Sequence, residues 1–135
     1  MMRWLRVFLV ACAVATVGVA LWMARPWAGY ASYDATGWQV LGAMLLWAVS
    51  PLAGMALAAR LLRGSPLAWR VFAAGAAVIA IVGLVAYVDA AFVHIDAQGG
   101  LVFVFMPLWQ WLATIGLGLV CGLVRLWKRP RPPTA

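Results

Sequence analysis

The sequence predicts an all-α integral membrane protein, an up-down bundle of four transmembrane helices with both termini in the cytoplasm. Three observations predict it. The chain is 67% hydrophobic and 10% charged with a mean hydropathy of +1.01, more apolar surface than 135 residues can hide in one soluble core. That surface falls into four long apolar runs, each close to the ~20 residues that a ~30 Å hydrocarbon layer requires. The basic residues lie almost wholly on one side of those runs. No stretch remains for a soluble domain, so residues 1–135 read as a single membrane domain.

The first helix is expected over about 7–24, behind Arg3 and Arg6. It exceeds the about 7 to 15 apolar residues of a signal-peptide core, and bulky Trp22 breaks the small-x-small pattern before Ala24. A weaker cleavage pattern stands at Gly29-Tyr30-Ala31, but we read a retained helix. Cys12, Thr16 and Ala20 follow one another at i, i+4 and give it a small, slightly polar stripe suited to close helix contact.

Arg25-Pro26 ends that helix, and an aromatic-rich loop leads to the second, about 38–59. Pro51 lies near its middle, lacks a backbone donor and so frees the carbonyl of Trp47. Ser50, Gly54 and Ala58 form a second small stripe expected to face another helix. Gly64-Ser65-Pro66 marks a turn, and the third helix, about 71–93, is rich in alanine with Gly75 and Gly83, a composition that permits close packing on several sides. The fourth, about 101–124, carries Pro107, Gln110 and Thr114 before Gly118 and Gly122. Residues 125–135 read as a basic, proline-rich cytoplasmic tail.

Orientation follows from the cations. With the N-terminus inside, Arg3, Arg6, Arg60, Arg63, Arg70, Arg125, Lys128, Arg129 and Arg131 are inside and Arg25 alone is outside, as the positive-inside rule favours. The acids Asp34, Asp89 and Asp96 then lie outside. Topology and attraction to anionic lipid account for the net charge of +7, and no nucleic-acid partner is expected, since no domain could present a basic groove. Arginine outnumbers lysine nine to one and alanine is abundant, a bias of GC-rich coding sequence that suits a bacterial inner membrane. Cys12 and Cys121 fall at similar depth near the cytoplasmic face and read as small buried residues; no metal or cofactor is expected.

Three places could carry function. The first is an outer-face polar cluster of Arg25, Asp89, His94 and Asp96. Structure alone can account for it: Arg25 would pair with Asp89, Asp96 would cap helix four, and His94 would sit at a helix end. Chemically, the same residues could bind a divalent cation or relay a proton. The second is a midplane pocket. By helix rise Thr16 lies about 14 Å from the inner end of helix one, and Gln110 and Ser50 lie about 14 Å and about 18 Å below the outer ends of helices four and two. With Trp47 and Thr114 they could line a small cavity walled by Trp47 and Trp109, although cross-helix hydrogen bonding explains them as well. In length and helix number the chain is similar to the small multidrug transporters, whose first helix carries an acidic residue; helix one here has none, so the similarity is confined to size. The third is the helix-contact stripe of Gly118 and Gly122, a GxxxG pair whose default partner is another helix of the same bundle, with a homodimer or a larger membrane complex as the alternative.

The leading expectation is therefore a non-enzymatic inner-membrane protein that acts as an accessory or assembly subunit through helix contacts, its partners being the lipid bilayer and possible neighbouring chains. A small transporter or channel using the midplane group comes second. An outer-face metal or catalytic site comes third.

Overall fold

The structure, a computed structural model, describes residues 2–26, 34–94 and 99–127. They form four helices: α1 (Met2–Ala24), α2 (Ala35–Leu61), α3 (Pro66–Val88) and α4 (Gly99–Trp127). A 3-10 turn at Leu62–Gly64 joins α2 to α3, and a π-helical turn at Asp89–Val93 follows α3. All four helices are long and apolar enough to cross a membrane, with mean hydropathies of 2.4, 1.9, 2.5 and 1.6 over their apolar windows. Outward faces are as apolar as inward ones, as Val14, Leu46, Val85 and Leu119 illustrate, each more than half exposed. A helix that is apolar all round suits hydrocarbon on its free side.

Each helix overruns the bounds expected from hydropathy, because hydrogen bonding continues past the apolar run. Asp34 caps α2, its Oδ1 accepting from the Gly37 amide at 2.8 Å, so that helix starts earlier than 38. Pro66 opens α3, where a missing N–H costs nothing. Beyond Val88 the third run changes to the wider π spacing rather than staying α-helical to 93. At the other end, Arg125 to Trp127 belong to α4 rather than to a tail, and Arg125 Nη1 donates to the carbonyl of Leu61 at 3.0 Å, closing the end of α2. Residues 128–135 lie outside the described residues.

α1 packs against α2 and α3, and α4 packs against the same two helices, so α1 and α4 take opposite corners. Residue numbers rise together across the α2–α4 seam, where Trp47 meets Val104, Ser50 meets Trp111 and Leu61 meets Arg125. They run oppositely across α3–α4, where Tyr87 stacks on Phe103 and Gly75 meets Leu117.

The interior divides into two apolar clusters. The larger holds Leu5, Leu9, Cys12, Leu52, Met55, Phe72, Ala76 and Cys121; the smaller holds Ala20, Ala48, Tyr87 and Phe103. Both cysteines are buried free thiols in the larger cluster, in keeping with their reading as small core residues. On α1 the position between the clusters is Thr16, on α2 Ser50 and Pro51, on α3 Gly83, and on α4 Pro107, Gln110 and Thr114.

Candidate functional site

This intermediate layer contains most of the residues expected to line a midplane pocket. Thr16, Gln110 and Thr114 are buried, and Ser50 is half-buried. Local chain chemistry builds it. Pro51 cannot donate to Trp47, and the neighbouring Ser50 hydroxyl donates to that carbonyl instead, at 2.9 Å. The same Ser50 Oγ accepts from the indole N–H of Trp111 at 2.9 Å, joining α2 to α4. Below it, a Cβ on Gly54 would lie 2.5 Å from the Trp111 ring, so only glycine admits that ring against the α2 backbone. Thr114 Oγ1 donates to the Gln110 carbonyl at 2.6 Å within α4.

Gln110 crosses to α3. Its Nε2 donates to the Ile79 carbonyl at 3.4 Å, a long bond, and a Cβ on Gly83 would collide with its amide. Gly83 is therefore the socket for Gln110, just as Gly75 is the socket for Leu117. Oε1 of Gln110 and the hydroxyl of Tyr87, both buried, have no hydrogen-bond partner.

Not all of the predicted group converges. Trp47 is partly exposed and turns its indole N–H to the Val104 carbonyl at 3.1 Å, and Trp109 points outward, 66% exposed. Three cavities open elsewhere on the bundle, and Thr16, Trp47, Ser50, Gln110 and Thr114 line none of them. One, of about 230 Å³, lies between α1, α2 and the start of α4, among Ala20, Met23, Leu41, Met44, Leu45 and Phe103. Trp111, Tyr87 and Gly83 belong to the layer or its border without having been singled out for it. The signal for Trp111 was its spacing, since residues 107, 110, 111 and 114 share one face of α4.

Two predictions arise here, both read by unfolding titration in mixed micelles. Ser50→Ala removes the bond that replaces the proline's missing donor and strands the Trp111 N–H, so it should cost about 1 to 2 kcal/mol. Gln110→Leu removes a weak bond together with an orphan acceptor, so it should raise stability by about 1 kcal/mol. A loss of similar size would mean that Oε1 is partnered in the membrane.

The outer-face cluster differs from expectation. Asp89 does not pair with Arg25. The π turn brings the chain back so that the His94 amide donates to the Asp89 carbonyl at 2.8 Å, and His94 Nδ1 stands 3.0 Å from both carboxylate oxygens. An ionised carboxylate only accepts, so a hydrogen bond here takes the tautomer with its proton on Nδ1. The short return loop outcompetes a partner from another helix. Arg25 instead lies with its Cζ 5.1 Å over the ring of Trp22, which stacks on Phe92. Asp96 lies outside the described residues, and its capping role with it. Among the described residues no three His, Cys, Asp or Glu side chains gather where a metal could be held.

The glycine stripe also differs from its default. Among the described residues nothing lies within 4 Å of a Cβ placed at Gly118 or Gly122, so no helix of the bundle packs into that pair. Gly18, Gly42, Gly100 and Gly116 are open too, but among the described residues Gly118 and Gly122 are the open pair a single turn apart. Exposed Ile115, Leu119 and Leu126 form a ridge along one side of them.

No protein-family model, curated protein or solved structure matches this chain.

Proposed function

We propose that the protein is a non-enzymatic bacterial inner-membrane bundle, both termini cytoplasmic, that serves as an accessory or assembly subunit by docking a transmembrane helix of another chain on α4. The observation that carries the reading is the contrast among its glycines. Gly54, Gly75 and Gly83 are each filled by a side chain of the bundle, whereas the Gly118–Gly122 pair is open beside the exposed apolar ridge of Ile115, Leu119 and Leu126. Without a hydrophobic driving force between helices in lipid, association depends on such close backbone approach. An open GxxxG face gives a second helix a place to gain that contact. The up-down path and the nine-to-one distribution of cations support the orientation.

Gentle solubilisation followed by identification of co-purifying proteins tests the role. The expected result is a second copy or a larger membrane protein held in reproducible proportion. A chain that emerges alone and moves a solute across liposomes would favour the other reading, a small transporter or channel, for which the unpartnered Gln110 Oε1 and Tyr87 hydroxyl in mid-bundle are the supporting observation.

A further inference from the structure

A second surface points to a different ligand. Between α1 and α2, on the side of the α1 N-terminus and the α2 C-terminus, a groove with a cavity volume of about 270 Å³ runs among Leu9, Val10, Ala13, Val49, Ala53 and Ala56. Two arginines, Arg6 and Arg60, line it as well. We propose that this groove binds one anionic phospholipid, its phosphate between the two guanidiniums and an acyl chain along the apolar floor.

The dimensions fit. From Val49 to Arg60 the helix rises about 16 Å, half of a ~30 Å hydrocarbon layer, so the groove spans one leaflet from its charged rim to the bilayer centre. Alanines at 13, 53 and 56 keep the floor shallow enough for a chain to lie against the backbone, and exposed Val10 forms a wall. Charge complementarity selects the headgroup. Among the described residues the ion pair found joins His94 to Asp89, and neither Arg6 nor Arg60 takes part in one. Asp34 starts α2 and Asp89 follows α3, both at the far end of the bundle from the two arginines. A phosphodiester satisfies paired guanidiniums through forked hydrogen bonds, whereas a zwitterionic headgroup brings its own cation. The comparable groove between α1 and α3, beside Trp4 and Trp69, offers Arg70 as its one arginine lining.

The proposal rests on the membrane-spanning reading of the four helices and is independent of what docks on α4. Its test is native mass spectrometry of the purified full chain, titrated with phosphatidylglycerol, with phosphatidylcholine of the same acyl chains, and with inorganic phosphate. One phosphatidylglycerol should be retained per chain, more tightly than phosphatidylcholine, and inorganic phosphate should fail to displace it. Arg6→Gln with Arg60→Gln should weaken phosphatidylglycerol roughly thirtyfold. Arg3→Gln with Arg63→Gln, which removes the same charge outside the groove, should change it far less. Ala53→Phe, which fills the floor and keeps both arginines, should weaken both lipids. Equal loss from the two arginine pairs would reduce the effect to diffuse attraction and overturn the site, as would displacement by inorganic phosphate or indifference to Ala53→Phe. A wild-type chain that does not insert into phospholipid nanodiscs would overturn the membrane reading itself.

Discussion

Gly83→Leu should destabilise the bundle by about 2 kcal/mol, the largest single-site loss expected for a residue without a side chain of its own. A Cβ at this position would collide with the Gln110 amide and lie 2.8 Å from its Cδ, and Gln110 is 2% exposed, so it has little room to retreat. Overpacking of this kind costs about 1 to 3 kcal/mol and belongs at the upper end here, while the gain in helix propensity over glycine, about 1 kcal/mol, offsets part of it. The pairing can be checked by compensation. Gln110→Ala in the Gly83→Leu background vacates the space that the new side chain needs and should recover most of the loss, a coupling of at least about 1 kcal/mol. Gly42→Leu, at a helix position with open space around its Cβ, should keep the propensity gain without the collision and leave stability unchanged or raised by up to about 1 kcal/mol. Unfolding titrations of these three variants, together with Gln110→Ala alone, in mixed micelles read all of these. If Gly83→Leu and Gly42→Leu prove equally mild, the α3–α4 seam is not packed through Gln110.

The helices themselves were legible in the sequence because hydrocarbon thickness imposes a length on each apolar run. Their ends were less so. Asp34, Pro66 and Arg125 extend or close helices through single hydrogen bonds or fixed dihedrals that leave no trace in hydropathy. The mid-bundle polar layer was legible as a level, since helix rise alone sets depth, but its partners were not. That Gln110 meets Gly83 and Trp111 meets Ser50 depends on which helices are neighbours and in what register. Facing was the hardest property to read. Trp109 and Trp111 are two residues apart, yet one faces outward and the other α2. In a soluble helix polarity would mark the outer face, whereas a helix apolar all round carries no such mark. The same absence hid the open side of Gly118 and Gly122. At the end of α3, the pairing of Asp89 with His94 in place of Arg25 required a π turn, which composition does not announce.

Replacing that open glycine pair should have the largest effect on association. Gly118→Leu with Gly122→Leu raises two branched side chains beside Ile115 and Leu119, and a partner backbone can no longer approach to the distance at which van der Waals contacts and Cα–H bonds form. Among the described residues nothing lies within 4 Å of a Cβ at either position, so the fold should lose no stability, and helix propensity should raise it by about 1 to 2 kcal/mol, while the partner is lost. The separation of the two readouts matters, because a variant that lost its partner by unfolding would fail both. Gly54→Leu provides the opposite pattern, striking the Trp111 ring inside the bundle and lowering stability without touching the α4 outer face.

The most direct measurement of the central claim is the mass of the particle released by mild detergent, wild type against Gly118→Leu/Gly122→Leu. The protein mass of the wild-type particle, bound detergent subtracted, should exceed the 14.5 kDa of one chain, and the variant should fall to a single folded chain. A wild-type particle of one chain, or a larger particle that survives both substitutions intact, would contradict it.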